Sequence, residues 1–502
     1  MTFPHDPHIP SYDEQVKRAS ELLARNANQV YTIRSIQFQG VQSTRRSLLQ
    51  SYIAPLLSSG PSPQSQTSAS IDGPVDSTTP AAATQQPLGT APLATLLLRL
   101  QSTAASLGAL GIFDDDISID IDSPPATSAD GTSHNLLDVT LRVRERPRIR
   151  AETGTQMGNN EGNVHASLAL RNLFGGAERV EGNVTFGTRT HSSFEALLAL
   201  PKVDGVRGVT REWQVAAHQV HRSNQAVSSY DELARQLAFR LVTGGGSGLS
   251  GAHTVQAVLA WRQVMNVGPE ASLSIRHEAG HALKAALQHA WIVRDSRDSG
   301  SLPTRGTYLR VDSEVAGGGH VGNVHHVKSE VEAQWNVPFG LSGWSLSNSL
   351  RLAALVPTHG DIPRISDRVF AGGPTSVRGF AHHGLGPKDG KDALGGTLSY
   401  SAGVSLFAPV FKDKDWLRAH VWANAGQVAM GPVGCTSWQA YRDGAEKVVR
   451  DMVAGPSVSV GVGLAIRHPI ARVELNFGVP VVVRKGDEVK RGWGFGLGVN
   501  FL

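Results

Sequence analysis

Residues 325–337 read HHVKSEVEAQWNV. Side chains alternate across a β-strand with a period of two. On that spacing Val327, Val331, Ala333, Trp335 and Val337 share one face, and His326, Lys328, Glu330, Glu332, Gln334 and Asn336 share the other. One side is apolar and the other carries full charges. Such a strand belongs to a soluble sandwich with one wet face, or to a transmembrane barrel whose lumen is hydrated.

The neighbouring text decides between them. Thr307–Val315 sets Leu309, Val311 and Val315 against Tyr308, Arg310, Asp312 and Glu314; Leu417–Ala425 sets Leu417, Ala419, Val421 and Ala423 against Arg418, His420, Trp422 and Asn424. Ala471–Val479 sets Ala471, Val473, Leu475, Phe477 and Val479 against Arg472, Glu474 and Asn476. Charges recur strand after strand on the polar side, as a hydrated lumen requires. From residue 147 on, segments of this kind lie at 148–156, 163–171, 178–188, 193–200, 211–222, 230–242, 253–264, 282–295, 306–316, 323–336, 343–354, 397–409, 416–427, 456–467, 470–483 and 493–502. They number about sixteen, each roughly nine to twelve residues, long enough to cross a bilayer at a tilt. The expected fold is a transmembrane antiparallel β-barrel over 147–502.

Composition agrees. A mean hydropathy of −0.16 is what averaging a lipid face with a wet face produces. No window comes near 18 uninterrupted apolar residues, and the best short run, Leu93–Leu100, is broken by Thr95 and Arg99, so no helical span is expected. Fifty-four glycines suit close strand packing and bends. A net charge of +4, with scattered basic residues, gives no reason to expect a nucleic-acid partner. The lone Cys435 excludes an intramolecular disulfide. The opening MTFPHDPHIPSYDEQ has neither a basic nor an apolar leader segment, as expected of a chain delivered from the cytosol without cleavage.

Before the barrel the periodicity changes. Residues 1–29 read as an extension with a short helix at 11–28. Residues 30–146 read as a small α+β domain of order β-α-α-β-β: strand Tyr31–Gln39, helices at 45–57 and 91–110, and strands Ile117–Ile121 and Leu136–Val143. Residues 58–90, rich in Ser, Pro, Thr, Gln and Ala, offer little to bury and read as a disordered insertion.

Enzymatic motifs are weak. His277-Glu-Ala-Gly-His281 formally matches the zinc-protease pattern, which needs both histidines on one helical face. Gly280 interrupts it, and Ser272–Arg276 and Ala282–Val293 read as strand, where residues i and i+4 stand about 13 Å apart, too far for one ion. The adjacent pairs His325-His326 and His382-His383 lack companion ligands. Gly244–Gly248 and Gly492–Gly498 lack the Lys-Ser/Thr of a phosphate loop. No catalytic residue, metal or cofactor is expected.

Residues 373–395 are long for a hairpin loop and rich in glycine, hence functional or disordered. Within them, Arg378 would be costly in a barrel interior without acidic or carbonyl partners. Phe370-Ala-Gly-Gly-Pro-Thr-Ser-Val-Arg-Gly-Phe380 resembles the signature loop between strands eleven and twelve of the BamA-type barrel-assembly family, its core being Val377, Arg378, Gly379 and Phe380. Asn172-Leu-Phe-Gly-Gly176, Asp295–Gly306 and Gly492–Leu502 resemble the same family, more narrowly the central barrel of the mitochondrial sorting and assembly machinery (SAM complex). The sequence departs from the family pattern at Asn424, where bacterial relatives carry aspartate, at Gly494 in the closing strand, and in the 58–90 insertion.

The resemblance implies a single polypeptide-transport-associated (POTRA) domain at 30–146, facing the intermembrane space, and a barrel in the mitochondrial outer membrane. It implies an insertase that folds β-barrel precursors through a lateral gate. The partners are those precursors, accessory SAM subunits and outer-membrane lipids. The gate is expected at Arg148, Arg150, Glu152 and Gly154 on the first strand and Gly494, Gly496, Gly498, Val499 and Phe501 on the last. The alternative is a polypeptide-translocating pore of the same family. A plain porin fits poorly with the N-terminal domain and the arginine loop.

Overall fold

The computed structural model describes residues 21, 24–57, 90–114, 116–122, 135–158, 161–204, 209–244, 251–296, 304–318, 321–340, 343–359, 362–411, 414–435, 438–467 and 472–498. It comprises two compact units, the first taking in residues up to Arg148 together with 171–178 and 201–210, the second the remainder. The expected insertion lies, except for Thr90, outside the described residues, as do Val499 and Phe501. Of the expected helix at 11–28, residues 21 and 24–26 are described and helical.

The first unit contains β1 (Val30–Gln39), α1 (Arg46–Leu57), β2 (Thr90–Pro92), α2 (Leu93–Gly108), β3 (Ser118–Asp122) and β4 (Leu136–Arg142). The short β2 is an addition to the expected β-α-α-β-β order. Three residues are too few for a periodicity signal, and β2 forms because its backbone pairs antiparallel with Val30–Thr32. The sheet order is β2-β1-β4-β3, with β1 and β4 parallel. Leu96 and Leu100 of α2 and Leu56 of α1 close its core against Ile33, Val139 and Leu141. Leu93, Leu96, Leu100 and Leu107 recur at helical spacing, so one stripe of α2 is buried.

In the first unit Glu145 turns back under the start of α1. Its carboxylate accepts backbone N–H bonds from Gln42 (3.2 Å), Ser43 (3.1 Å) and Thr44 (3.0 Å), and hydroxyl bonds from Ser43 and Thr44. Burial alone would raise its pKa, but these donors outweigh it and hold the carboxyl down at about 2.

The second unit is one sixteen-stranded sheet. Its strands are β5 (Ile149–Gly158), β6 (Glu161–Arg171), β7 (Arg179–Gly187), β8 (Thr190–Asp204), β9 (Val209–Ser223), β10 (Asp231–Gly244), β11 (Ala252–Met265) and β12 (Gly280–Ser296). They continue as β13 (Gly306–Ala316), β14 (His326–Pro338) and β15 (Ser345–Pro357). A small hairpin, β16 (Lys388–Asp389) and β17 (Asp392–Ala393), interrupts them before β18 (Leu398–Phe411), β19 (Lys414–Ala429), β20 (Ser457–Arg467), β21 (Arg472–Val482) and β22 (Gly492–Gly498). Strands pair in chain order, and the order ends at β5 and β22, whose Cα atoms approach within 8 Å.

Burial inverts the soluble pattern. In β14, Val327, Trp335 and Val337 stand exposed on the outer face (41, 41 and 50%), while His326 and Asn336 point inward and are buried (1 and 6%). In a water-soluble sheet the apolar face would be the buried one. Here the apolar face is the outside, as lipid demands. No helix among the described residues is long and apolar enough to cross a membrane.

Three short-range features differ from the sequence reading. Ser272–Arg276 is not strand: the Ser272 hydroxyl caps α4 (Leu273–Glu278), which follows α3 (Gln225–Ser228) in chain order. His277 therefore lies in the last turn of a helix while His281 is the second residue of β12, and Gly280, at φ +122°, opens that strand. Glu278 of that motif binds Arg368 instead. A fifth helix, α5 (Trp438–Ala454), fills the β19–β20 connection and buries Tyr441 and Met452.

Candidate functional site

The long connection between β15 and β18 folds into the barrel and is anchored on two walls. At its base Asp367 receives a two-pronged bond from Arg262 of β11 (3.0 and 2.7 Å) and one from Lys284 of β12 (2.9 Å). Lys284 also pairs with Glu314 of β13, which accepts a bond from His326 of β14 at 2.7 Å. Glu314, His326 and Asp367 converge as metal ligands would, but the Lys284 ammonium already bonds both carboxylates. Beside this cluster Arg368 pairs with Glu278. Asp392 accepts from the Ser229 hydroxyl (2.6 Å) and the Ser272 amide (2.7 Å).

The tip reaches the opposite wall, where the sequence signature comes to rest. Val377, Arg378 and Phe380 are almost wholly buried (0, 2 and 1% exposed). The Arg378 guanidinium donates to Glu474 of β21 through Nε (3.2 Å) and Nη2 (2.9 Å), and to Asn424 Oδ1 of β19 through Nη1 (3.0 Å). It also lies 5.3 Å from the centre of the Trp422 indole. Ser459 of β20 donates to the Arg378 carbonyl. Three consecutive strands thus close on one residue.

Small residues make room for it. Gly461 and Gly478 lie under Trp422: a Cβ on Gly461 would sit 2.4 Å from the indole, and one on Gly478 would sit 2.9 Å from it. A Cβ on Gly426 would meet Val377 at 2.7 Å. Gly379 at φ +81° turns the chain at the tip, a conformation glycine adopts without strain. Backbone bonds tie the tip to the β21–β22 connection: Ala381 donates to Glu488 and Lys490 donates to Gly379, both at 2.9 Å.

The sequence left the partner of Arg378 open and doubted a carboxylate at position 424. Asn424 does bind, as a neutral acceptor, and Glu474 supplies the charge. Glu474 is completely buried and is held by Asn476 Nδ2 at 2.8 Å. Alternation had placed Glu474 on the polar face of its strand; only the register of β21 brings it to the loop.

The expected gate residues divide. Arg148 precedes β5, and its carbonyl accepts the Arg171 amide at 2.7 Å. On β5 Ile149 is exposed, so Arg150, Glu152 and Gly154 take the lumenal face; Arg150 and Glu152 pair with each other, and Gly154 lies opposite His165 of β6. On β22 Trp493 and Phe495 are exposed, while Gly494, Gly496 and Gly498 lie opposite Asn476, Glu474 and Arg472 of β21. The lumenal side of β22 is therefore a stripe of glycines running beside the carboxylate that holds Arg378.

Comparison with known proteins places this architecture. Residues 172–501 match the Omp85 superfamily domain. The SAM50-like protein of Schizosaccharomyces pombe is 34% identical over 98% of this chain and 95% of its own length. The sorting and assembly machinery component 50 homolog of Mus musculus is 35% identical over 73% of this chain and 76% of its own. Among solved structures, BamA from Haemophilus ducreyi lacking POTRA domains 1–3 superposes with a TM-score of 0.69 at 16% identity, covering 99% of this chain and 95% of that one. The chain belongs to the Omp85 superfamily, in its SAM50 branch: a sixteen-stranded β-barrel protein of the mitochondrial outer membrane with a barrel-assembly role.

Proposed function

We propose that the protein inserts β-barrel precursors sideways into the membrane through a gate between β5 and β22. The single observation that carries this is the position of the Arg378 clasp. It binds β19, β20 and β21 and leaves β22, the end of the sheet order, as the strand beyond it. A bare backbone edge in lipid costs several kcal/mol per unsatisfied group, so an unassisted precursor strand faces roughly tens of kcal/mol. A barrel that exposes one edge of its own can pair with that strand and remove most of the cost by β-augmentation.

The glycine face of β22 lowers the side-chain interlock that opening must break. The clasp keeps the neighbouring strands in place while β22 swings. A loop anchored on two walls also obstructs the lumen, which favours sideways exit over passage through a pore. We read the first unit as a POTRA-like domain in the intermembrane space that receives precursors. The remaining partners in this reading are accessory subunits of the SAM complex and the surrounding lipids.

The test is depletion of the protein followed by import of newly made outer-membrane barrels. Re-expressed wild type restores insertion. Unchanged insertion after depletion, with altered conductance alone, would favour the pore.

A further inference from the structure

The lipid-facing wall at β7–β12 holds a furrow of about 600 Å³. Gly182, Ala196 and Ala217 form its low floor, and Phe194, Leu237 and Leu259, all exposed, border it. Arg235 stands at its head, exposed on the outer face of β10 in the same alternation as Leu237 and Phe239. Asp231 begins β10, Met265 ends β11 and Gly280 begins β12, so Arg235, Trp261 and His281 all lie near one rim.

Arg235 has no acidic partner among the described residues. Its Nε donates to Gln219 Oε1 at 2.9 Å, and its guanidinium carbon lies 5.3 Å from the Trp261 ring centre. Trp261 in turn stacks on His281 at 5.3 Å. The bond to Gln219 engages Nε and the indole lies beside the guanidinium, and its two terminal nitrogens bond no acidic side chain among the described residues. A cation on the lipid face is expensive near the bilayer centre and tolerable at headgroup depth. Tryptophan marks that depth. The planar guanidinium fork matches a phosphate.

We propose that this furrow is a phospholipid site, with the phosphate on Arg235, the headgroup flanked by Trp261 and His281, and an acyl chain along Gly182, Ala196 and Ala217. Bulky side chains elsewhere on the wall would hold a chain away from the sheet; these three residues let it lie against the backbone. The site requires only the membrane barrel and is independent of how precursors leave it.

Native mass spectrometry of the purified full chain tests this in detergent doped with dioleoyl phosphatidylglycerol. A parallel series uses dioleoylglycerol, which has the same chains and no phosphate. The wild type is expected to retain one phospholipid that dioleoylglycerol does not replace and inorganic phosphate does not displace. Arg235→Gln is expected to reduce occupancy about tenfold or more, from loss of a charge-assisted forked contact. Ala217→Phe, which fills the furrow without touching the charge, is expected to do the same. Circular dichroism on both variants verifies an intact sheet. Equal phospholipid retention by wild type and Arg235→Gln would overturn the proposal. So would equal retention of dioleoylglycerol, or a dimer signal that vanishes with Arg235→Gln, which would assign the patch to a second copy.

Discussion

Replacing Glu474 by Gln keeps the side chain's shape and removes the full negative charge that Glu474 sets against Arg378. Both partners are buried, with bonds of 2.9 and 3.2 Å from two nitrogens. Removing one member of such a pair costs about 3–5 kcal/mol, because the survivor stays buried with its charge unmatched. At about 1.4 kcal/mol per factor of ten, the tip of the loop should open roughly a hundredfold to a few thousandfold more often. The effect is asymmetric. A guanidinium cannot shed its proton, whereas a lone carboxylate can take one up. Arg378→Gln should therefore loosen the loop less than Glu474→Gln, and Arg378→Met with Glu474→Met together should recover much of the loss. Hydrogen exchange at the amides of 376–381 reads this directly, with amides of β10–β12 as the internal reference. Equal exchange in wild type and Glu474→Gln, or strictly additive effects in the double variant, would refute the reasoning.

The base of the loop makes a parallel case. Asp367→Asn leaves Arg262 without its carboxylate partner and Lys284 with Glu314 alone, and should raise exchange at 364–369 while 376–381 stays protected, since the two anchors contact different walls. Gly461→Ala places a Cβ 2.2 Å from the Phe477 carbonyl, which cannot move aside, and should destabilise the barrel by about 1–3 kcal/mol in thermal unfolding. Gly162→Ala, with nothing within 4 Å of its Cβ, should be close to neutral. In the first unit, Glu145 sits at about 2 when folded against 4.5 as its ordinary value. A depressed carboxyl contributes stability that is complete above about pH 4.5 and is lost as pH falls toward 2. Discounted for its solvent contact, the contribution is roughly 1–2 kcal/mol. Acid titration of unfolding should show it, and Glu145→Gln should flatten that window.

Alternation carried most of the barrel. Thr307–Val315 and residues 325–337 put apolar and charged residues on opposite faces so regularly that strand, facing and approximate ends followed from the sequence. The outward exposure of Val327, Trp335 and Val337 confirms the facing. What stayed hidden has physical causes. α5 buries only Tyr441 and Met452, too sparse a stripe to announce a helix. α4 is a single capped turn and a half, shorter than any periodicity test. The Arg378 site joins residues 46 and 96 positions apart, and the base anchor joins Asp367 to Arg262 across 105. Local patterning cannot supply such pairings. It could say that Arg378 needed acceptors and that Glu474 lay on a lumenal face, but the register that joins them is a tertiary fact.

The most direct measurement locks the seam. In a Cys435→Ser background, cysteine pairs are scanned between residues 150–154 of β5 and 494–498 of β22, and the pair that oxidises completely is kept. Import of newly made barrel precursors is then compared before oxidation, after it, and after reduction. Sideways release predicts that oxidation stops insertion and that reduction restores it, with binding of precursors preserved. Full insertion through a covalently closed seam would contradict the account.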